Sequence, residues 1–314
     1  MASAAASSDP AVLFQTKQGS TIKTLVEVVK DISPETNICM DSNGVRITAM
    51  DSGHVVLIRA ILNAAGFDHY TCNTDCYAGV DMGNLLRKLK NVSNDEVVTI
   101  DMKDKDSDRI ILTVKNDQVT RVHEINLMDV DSDFFTRPQI DVLCRVHLES
   151  HLFQKIVRDH TSESDHFFIR IEKDTDPGAS SGDLKMIFTS NSSKSVTSDK
   201  CTTTVKLPKT RSTGGAQDED GDSCDDLDDS VFPLEVEYNL KFFSYFVKLT
   251  AVSPVVRLIL GTVVATPIDD DGDEPAEVPP EDDDKHIVTI IEYDLNDLGK
   301  IDFVVAPRDE PSDV

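Results

Sequence analysis

Two stretches of this 314-residue chain recur later in it, and that recurrence limits the fold more than composition does. Val28-Val29-Lys30-Asp31 is matched by Ile156-Val157-Arg158-Asp159, 128 positions on. Met82, Leu85, Lys90 and Val97-Val98 are matched without a gap by Leu240, Phe243, Lys248 and Val255-Val256, 158 positions on. The chain therefore reads as two copies of one unit, each of roughly two helices and eight or nine strands.

The helices follow from apolar periodicity. Gln18 to Ile32 carries Ile22, Leu25, Val26, Val29 and Ile32 on one face, Ser20 offers an N-cap, and Ser33-Pro34 ends the run. Met82 to Val92, Leu148 to His160 and Leu240 to Leu249 have the same spacing. Strands are expected at 37–41, 45–50, 54–62, 69–72, 96–102, 109–115, 120–127, 166–172, 184–189, 201–207, 255–264, 287–293 and 301–305. Asn43-Gly44 marks a hairpin turn. Few helices among many adjacent strands predict an α+β fold of antiparallel sheets with helices on one face.

Between the halves runs LMDVDSDFFTRPQIDVLC, residues 127–144, which reads as a connecting strap. An acidic surface loop has no reason to leave Phe134 and Phe135 in water, so the pair marks either a contact surface or a return to the core.

Net charge is -26, which at first excludes nucleic acid as a partner. Its distribution reverses that reading. Residues 208–233 and 269–284 hold -16 of it, and they read as solvated acidic insertions. Calcium loops of the EF-hand type fail there, because Ala216 and Pro267 stand where the first ligand belongs. All four helices carry bases off their apolar faces: Lys23 and Lys30, then Arg87, Lys88 and Lys90, then Lys155 and Arg158, then Lys241 and Lys248. A shared basic surface for phosphates, read without base preference, explains that surplus better than a mixed solvated face.

Catalytic signatures are absent: no GxSxG, P-loop, HExxH or GxGxxG after a strand occurs, so neither catalytic nor metal residues nor a cofactor are expected. Six cysteines without a CxxC pair predict free thiols in a reducing compartment. No apolar run reaches 18 residues, so no transmembrane helix is expected, and MASAAASSDP lacks the features of a secretory signal.

Met50-Asp51-Ser52-Gly53-His54-Val55, Gly66-Phe67-Asp68, Leu127-Met128-Asp129-Val130-Asp131 and Ala306-Pro307 resemble, in order, the motifs of the proliferating cell nuclear antigen family, the eukaryotic-type DNA sliding clamps. The resemblance runs from about Leu13 to Pro307, which is nearly the whole chain. It implies a non-enzymatic homotrimeric ring with helices lining the hole and sheets outside. The domains would be a tail at 1–12, an N-terminal clamp domain at 13–127, a connector at 128–143, a C-terminal clamp domain at 144–307 and a tail at 308–314. A pocket for short partner peptides of DNA polymerase and repair enzymes would comprise Met50, His54, Val55, Leu57, Phe134, Phe135, Pro138, Val288, Val304, Ala306 and Pro307. Subunit contact would involve Thr120, Val122 and Ile125 of one chain with Thr203, Val205 and Leu207 of the next. The resemblance further implies double-stranded DNA as partner, a separate clamp loader, and residence in the nucleus or, for a viral clamp, in the viral replication compartment. A checkpoint-type subunit of a heteromeric ring is the alternative. An acidic histone- or calcium-binding protein is a third reading, resting on the insertions alone. Valines at 288 and 304 stand where the family has a proline and a tyrosine, which bears on partner preference.

Overall fold

A computed structural model describes residues 10–93, 96–130, 135, 137–177, 183–191, 199–207, 232–264 and 287–308. The tail at 1–9, Phe134, the acidic insertions at 208–231 and 269–284 and the end at 309–314 lie outside the described residues.

The first half runs β1 (Val12–Thr16), α1 (Gly19–Ile32), β2 (Glu35–Asp41), β3 (Gly44–Met50), β4 (Val56–Asn63), β5 (His69–Cys72), β6 (Cys76–Asp81), α2 (Met82–Leu89), β7 (Val97–Met102), β8 (Arg109–Lys115) and β9 (Thr120–Asn126). The second runs β10 (Ile140–Glu149), α3 (Ser150–Glu163), β11 (His166–Lys173), β12 (Leu184–Asn191), β13 (Lys200–Leu207), β14 (Leu234–Asn239), α4 (Leu240–Phe246), β15 (Val255–Val263), β16 (Ile287–Asp294) and β17 (Gly299–Val305). Among the described residues the second half repeats the first without a counterpart of β5, whose place between β13 and β14 falls at 208–231, outside them. All the strand pairings are antiparallel.

Three sheets result, ordered β5-β1-β7-β8-β9, β10-β15-β16-β17-β4-β3-β2-β6 and β13-β12-β11-β14. The middle sheet crosses from one half to the other through β17 and β4, whose register runs from Gly299 opposite Leu62 to Val305 opposite Val56. The helices stand in a row, α2 against α1, α1 against α4 and α4 against α3. Their apolar faces supply the core: Ile22, Leu25, Val29, Met82, Leu85, Phe153, Ile156 and Phe243 are all buried. This is the α+β layout that the pattern predicted.

Local details differ from the sequence reading. The side chain of Ser20 does not cap α1; Gln18 stands at its N-cap, and the Ser20 carbonyl instead accepts from Thr24 Oγ1. Helix α2 keeps its regular hydrogen bonds only to Leu89, and α4 passes at Val247 into a short 3-10 turn. The strap is shorter than expected, because β10 already begins at Ile140. Its start is fixed against β6: Met128 N donates to Gly79 O, and a Cβ at position 79 would lie 2.0 Å from Met128 O. Gly79 is thus required by close approach. The second half repeats this contact 158 and 180 positions on, where Arg308 N donates to Glu237 O.

Candidate functional site

The motif at Met50–Val55 is a loop built around one carboxylate. Asp51 Oδ1 accepts from Val55 N at 2.7 Å and Val56 N at 2.6 Å, and Asp51 Oδ2 accepts from Gly53 N at 2.9 Å. The turn holds His54 exposed at a φ of 57°. Ala306 N then donates to Val55 O, which joins this loop to the end of β17. The Gly66-Phe67-Asp68 motif is structural: Phe67 is buried against Phe14, and Asp68 Oδ2 accepts from Lys17 N.

Beside the Met50–Val55 loop lies a small apolar cluster separate from the main core. Leu57, Ile259, Val288, Ile290 and Val304 form it, with Met50, Phe135, Ile140 and Val142 packed around them. The structure thus brings together Met50, Leu57, Phe135, Val288 and Val304, with Val55, Ala306 and Pro307 half-buried alongside. Phe135 packs half-buried against this buried cluster, so of the two readings of the strap phenylalanines this one follows the return to the core. Pro138 is half-buried in the strap. Ile259, Ile290, Ile140 and Val142 were not picked out from sequence, because their strands are continuous apolar runs that hide which face each residue takes.

Further along, the same sheet surface turns ionic. Arg59 Nε and Nη2 donate to Asp302 Oδ1 at 3.2 and 3.1 Å across the β4–β17 seam. Asp302 is buried, and its Oδ2 has no partner. Burial pushes its carboxyl above the usual carboxylate range, against the pull of Arg59 and Arg137. Arg257 next to it pairs with Glu292 and Asp294.

On the helical side the nine predicted bases divide into two groups. Lys248 Nζ donates to Glu27 Oε1 at 2.8 Å and Asp31 Oδ2 at 2.6 Å, and Lys30 Nζ lies 2.9 Å from Asp31 Oδ1. Burial works against the Lys248 charge, yet the two carboxylates hold its pKa above the ordinary lysine value. Burial likewise opposes ionisation of Asp31, and the two lysines keep its carboxyl below the usual range. Lys30 and Lys248 are therefore committed to an ionic staple between α1 and the turn after α4. Lys23 Nζ donates to Lys90 O. Arg87, Lys90, Lys155, Arg158 and Lys241 are exposed and carry no ion pair with a described residue, and Lys88 is half-exposed.

The strands named for subunit contact show strict alternation. Thr120 and Val122 are exposed on β9, Val122 at 59%, whereas Ile125 is buried at 1% and serves the core. Thr203, Val205 and Leu207 point inward on β13, and Lys200, Thr202, Thr204 and Lys206 are its exposed residues. Thr203 Oγ1 meets the buried His160 Nε2 at 3.2 Å, while Ser190 Oγ meets His160 Nδ1 at 2.7 Å. Burial depresses the His160 pKa.

Residues 13–134 match the family model described as proliferating cell nuclear antigen, N-terminal domain. That stretch belongs to this family of DNA sliding clamps. The clamp fold accounts for the doubled unit, the crossing sheet and the helical row. Clamps of the proliferating cell nuclear antigen family act in DNA replication as non-enzymatic scaffolds.

Proposed function

We propose that three copies of this clamp close into a ring around duplex DNA and act as a processivity factor. The reading is carried by the seam inside the chain. β17 of the second half pairs with β4 of the first, and the strand registers make β9 the repeat of β17 and β13 the repeat of β4. The same pairing between copies would put Glu124 opposite Lys200, Val122 opposite Thr202 and Thr120 opposite Thr204 of the next copy. Exposed residues then meet exposed residues and opposite charges meet, which supports self-assembly over the heteromeric alternative. It also covers two edges that proteins rarely leave open. A head-to-tail contact of this kind closes a ring when its rotation closes, and three copies is the number that the family resemblance implies.

The helical row would then line the hole, where its free bases touch phosphates without reading bases. Acidic residues elsewhere repel the duplex and keep it centred. Polymerase and repair enzymes would dock short peptides on the apolar cluster between the Met50–Val55 loop and the strap, with a few buried anchors carrying most of the energy. His54 and Pro138 belong to the same proposed surface. Loading needs a separate ATP-driven loader, and the working place is the nucleus or a viral replication compartment. Native mass spectrometry of the purified chain tests the assembly: three copies are expected, and a monomer at micromolar concentration overturns it.

A further inference from the structure

Five cysteines among the described residues are free thiols, and two of them share one acceptor. Cys72 ends β5 and Cys76 opens β6. The three residues between them carry the chain from the first sheet into the middle one. Cys72 Sγ donates to Thr74 O at 3.4 Å, and Cys76 Sγ donates to the same oxygen at 3.1 Å. The two sulfurs are therefore neighbours. A second contact places them together independently. Met40 is the cross-strand partner of Cys76, and Cys72 Sγ also lies 4.0 Å from Met40 O.

The turn that holds the pair is braced. Asn73 N donates to Ala11 O and Asn73 Nδ2 to Pro10 O, which ties the turn to the residues before β1. β6 is held by β2, and its Gly79 receives the strap at Met128. The two thiols differ in access: Cys76 is buried at 1%, whereas Cys72 is half-buried. A reagent from solvent meets Cys72 first.

We infer that Cys72 and Cys76 form a paired modification site that closes to an intramolecular disulfide by exchange with a small disulfide, Cys72 attacking and Cys76 resolving. The Cys72 thiolate attacks one sulfur of the reagent, forms a mixed disulfide and releases the other half as a thiolate. The Cys76 thiolate then attacks Cys72 Sγ, closes the bond and releases the second half. Two protein thiols are oxidised, one disulfide is reduced to two thiols, and the protons lost by the cysteines end on those thiols. The product cross-links the end of β5 to the start of β6 and frees Thr74 O of both S–H groups. The loop it closes is short, so the gain in stability is small and the signature is chemical. Asp75 and Asp41 lie near Cys72, and Asp75, Asp104 and Asp106 lie near Cys76. These carboxylates favour a cationic reagent over an anionic one. Burial first, and the acids after it, hold both thiols above the ordinary thiol range, so exchange is slow at neutral pH and quickens as pH rises. The site does not depend on ring closure.

The test exposes the native full-length chain to cystamine, a cationic disulfide, then alkylates the remaining thiols and maps the peptides by mass. Wild type is expected to lose both thiols together, the segment holding Cys72 and Cys76 lighter by two hydrogen atoms and free of cysteamine. Its rate should rise about tenfold from pH 7 to pH 8, because the thiolate is the attacking species. Cys76→Ala is expected to stop at the mixed disulfide, with cysteamine held on Cys72, and Cys72→Ala to leave Cys76 unmodified. Circular dichroism checks that each variant is folded. Wild type that retains cysteamine on Cys72 overturns the closure, and wild type whose Cys72 and Cys76 are both still alkylated after cystamine overturns the site. Cysteamine on Cys76 in Cys72→Ala overturns the assignment of roles. The first two outcomes are read on wild type alone, so a variant that fails to fold leaves the test intact.

Discussion

Truncating Arg59 probes the seam between the halves. Its guanidinium gives two hydrogen bonds to Asp302 Oδ1, and the carboxylate is 1% exposed with its other oxygen unpartnered. In Arg59→Ala that charge stays in a dry sheet surface with only the more distant Arg137 to balance it. Breaking one side of a buried pair costs about 3–5 kcal/mol, because the remaining charge is uncompensated. The carboxyl can escape by taking a proton, so the loss depends on pH. A folded pKa raised above the unfolded value contributes stability that is full below the unfolded pKa and is lost as pH rises through the folded one. Asp302 is already raised, and removing Arg59 raises it further. The defect of Arg59→Ala is therefore expected to be large at pH 7 and to shrink towards pH 4 in urea unfolding followed by circular dichroism. Adding Asp302→Asn should recover more than half of it. A loss below about 1 kcal/mol at neutral pH, or one of equal size at both pH values, would show that solvent already screens the carboxylate and would refute this reasoning.

Three further outcomes follow from the same geometry. Glu124→Lys should raise the dissociation concentration of the ring, and Lys200→Glu in the same chain should restore it; no restoration would mean a different register. Lys248→Ala should lower stability by about 0.5–1 kcal/mol and leave the salt dependence of DNA binding unchanged, while Lys155→Ala should reduce that salt slope by about one, as fluorescence anisotropy would read it. Phe135→Ala should weaken an aromatic partner peptide by about 1–3 kcal/mol in calorimetry, and an unchanged affinity would remove Phe135 from the docking surface.

Much of the fold was legible because its elements obey simple periods. The apolar faces of α1, α2 and α3 repeat at helical spacing, and the strands alternate where one side is wet. The strands missed were β1, β6, β10 and β14, where half-buried and wholly buried stretches lack a clean alternation or sit beside a stronger signal. On β13 the alternation was seen but its phase was not. Thr203, Val205 and Leu207 look like edge residues by composition, yet their inward side is fixed by His160 and the core, which only packing reveals. The same holds for Ile125. The bases of the helices were easy to collect, whereas the acids Glu27 and Asp31 that absorb Lys248 come from the other half of the chain. Sequence spacing carries no record of that meeting. The Arg59–Asp302 pair, 243 positions apart, was invisible for the same reason.

The proposed ring would hold DNA by topology more than by affinity. Once a loader has placed it on circular duplex, the protein is expected to remain bound through repeated washes at a salt concentration that removes it from a short linear duplex. Cutting the circle once with a restriction enzyme should release it by sliding off the ends, and blocking those ends should retain it. Equal loss from intact and cut circles, measured on the same loaded preparation, would contradict the account.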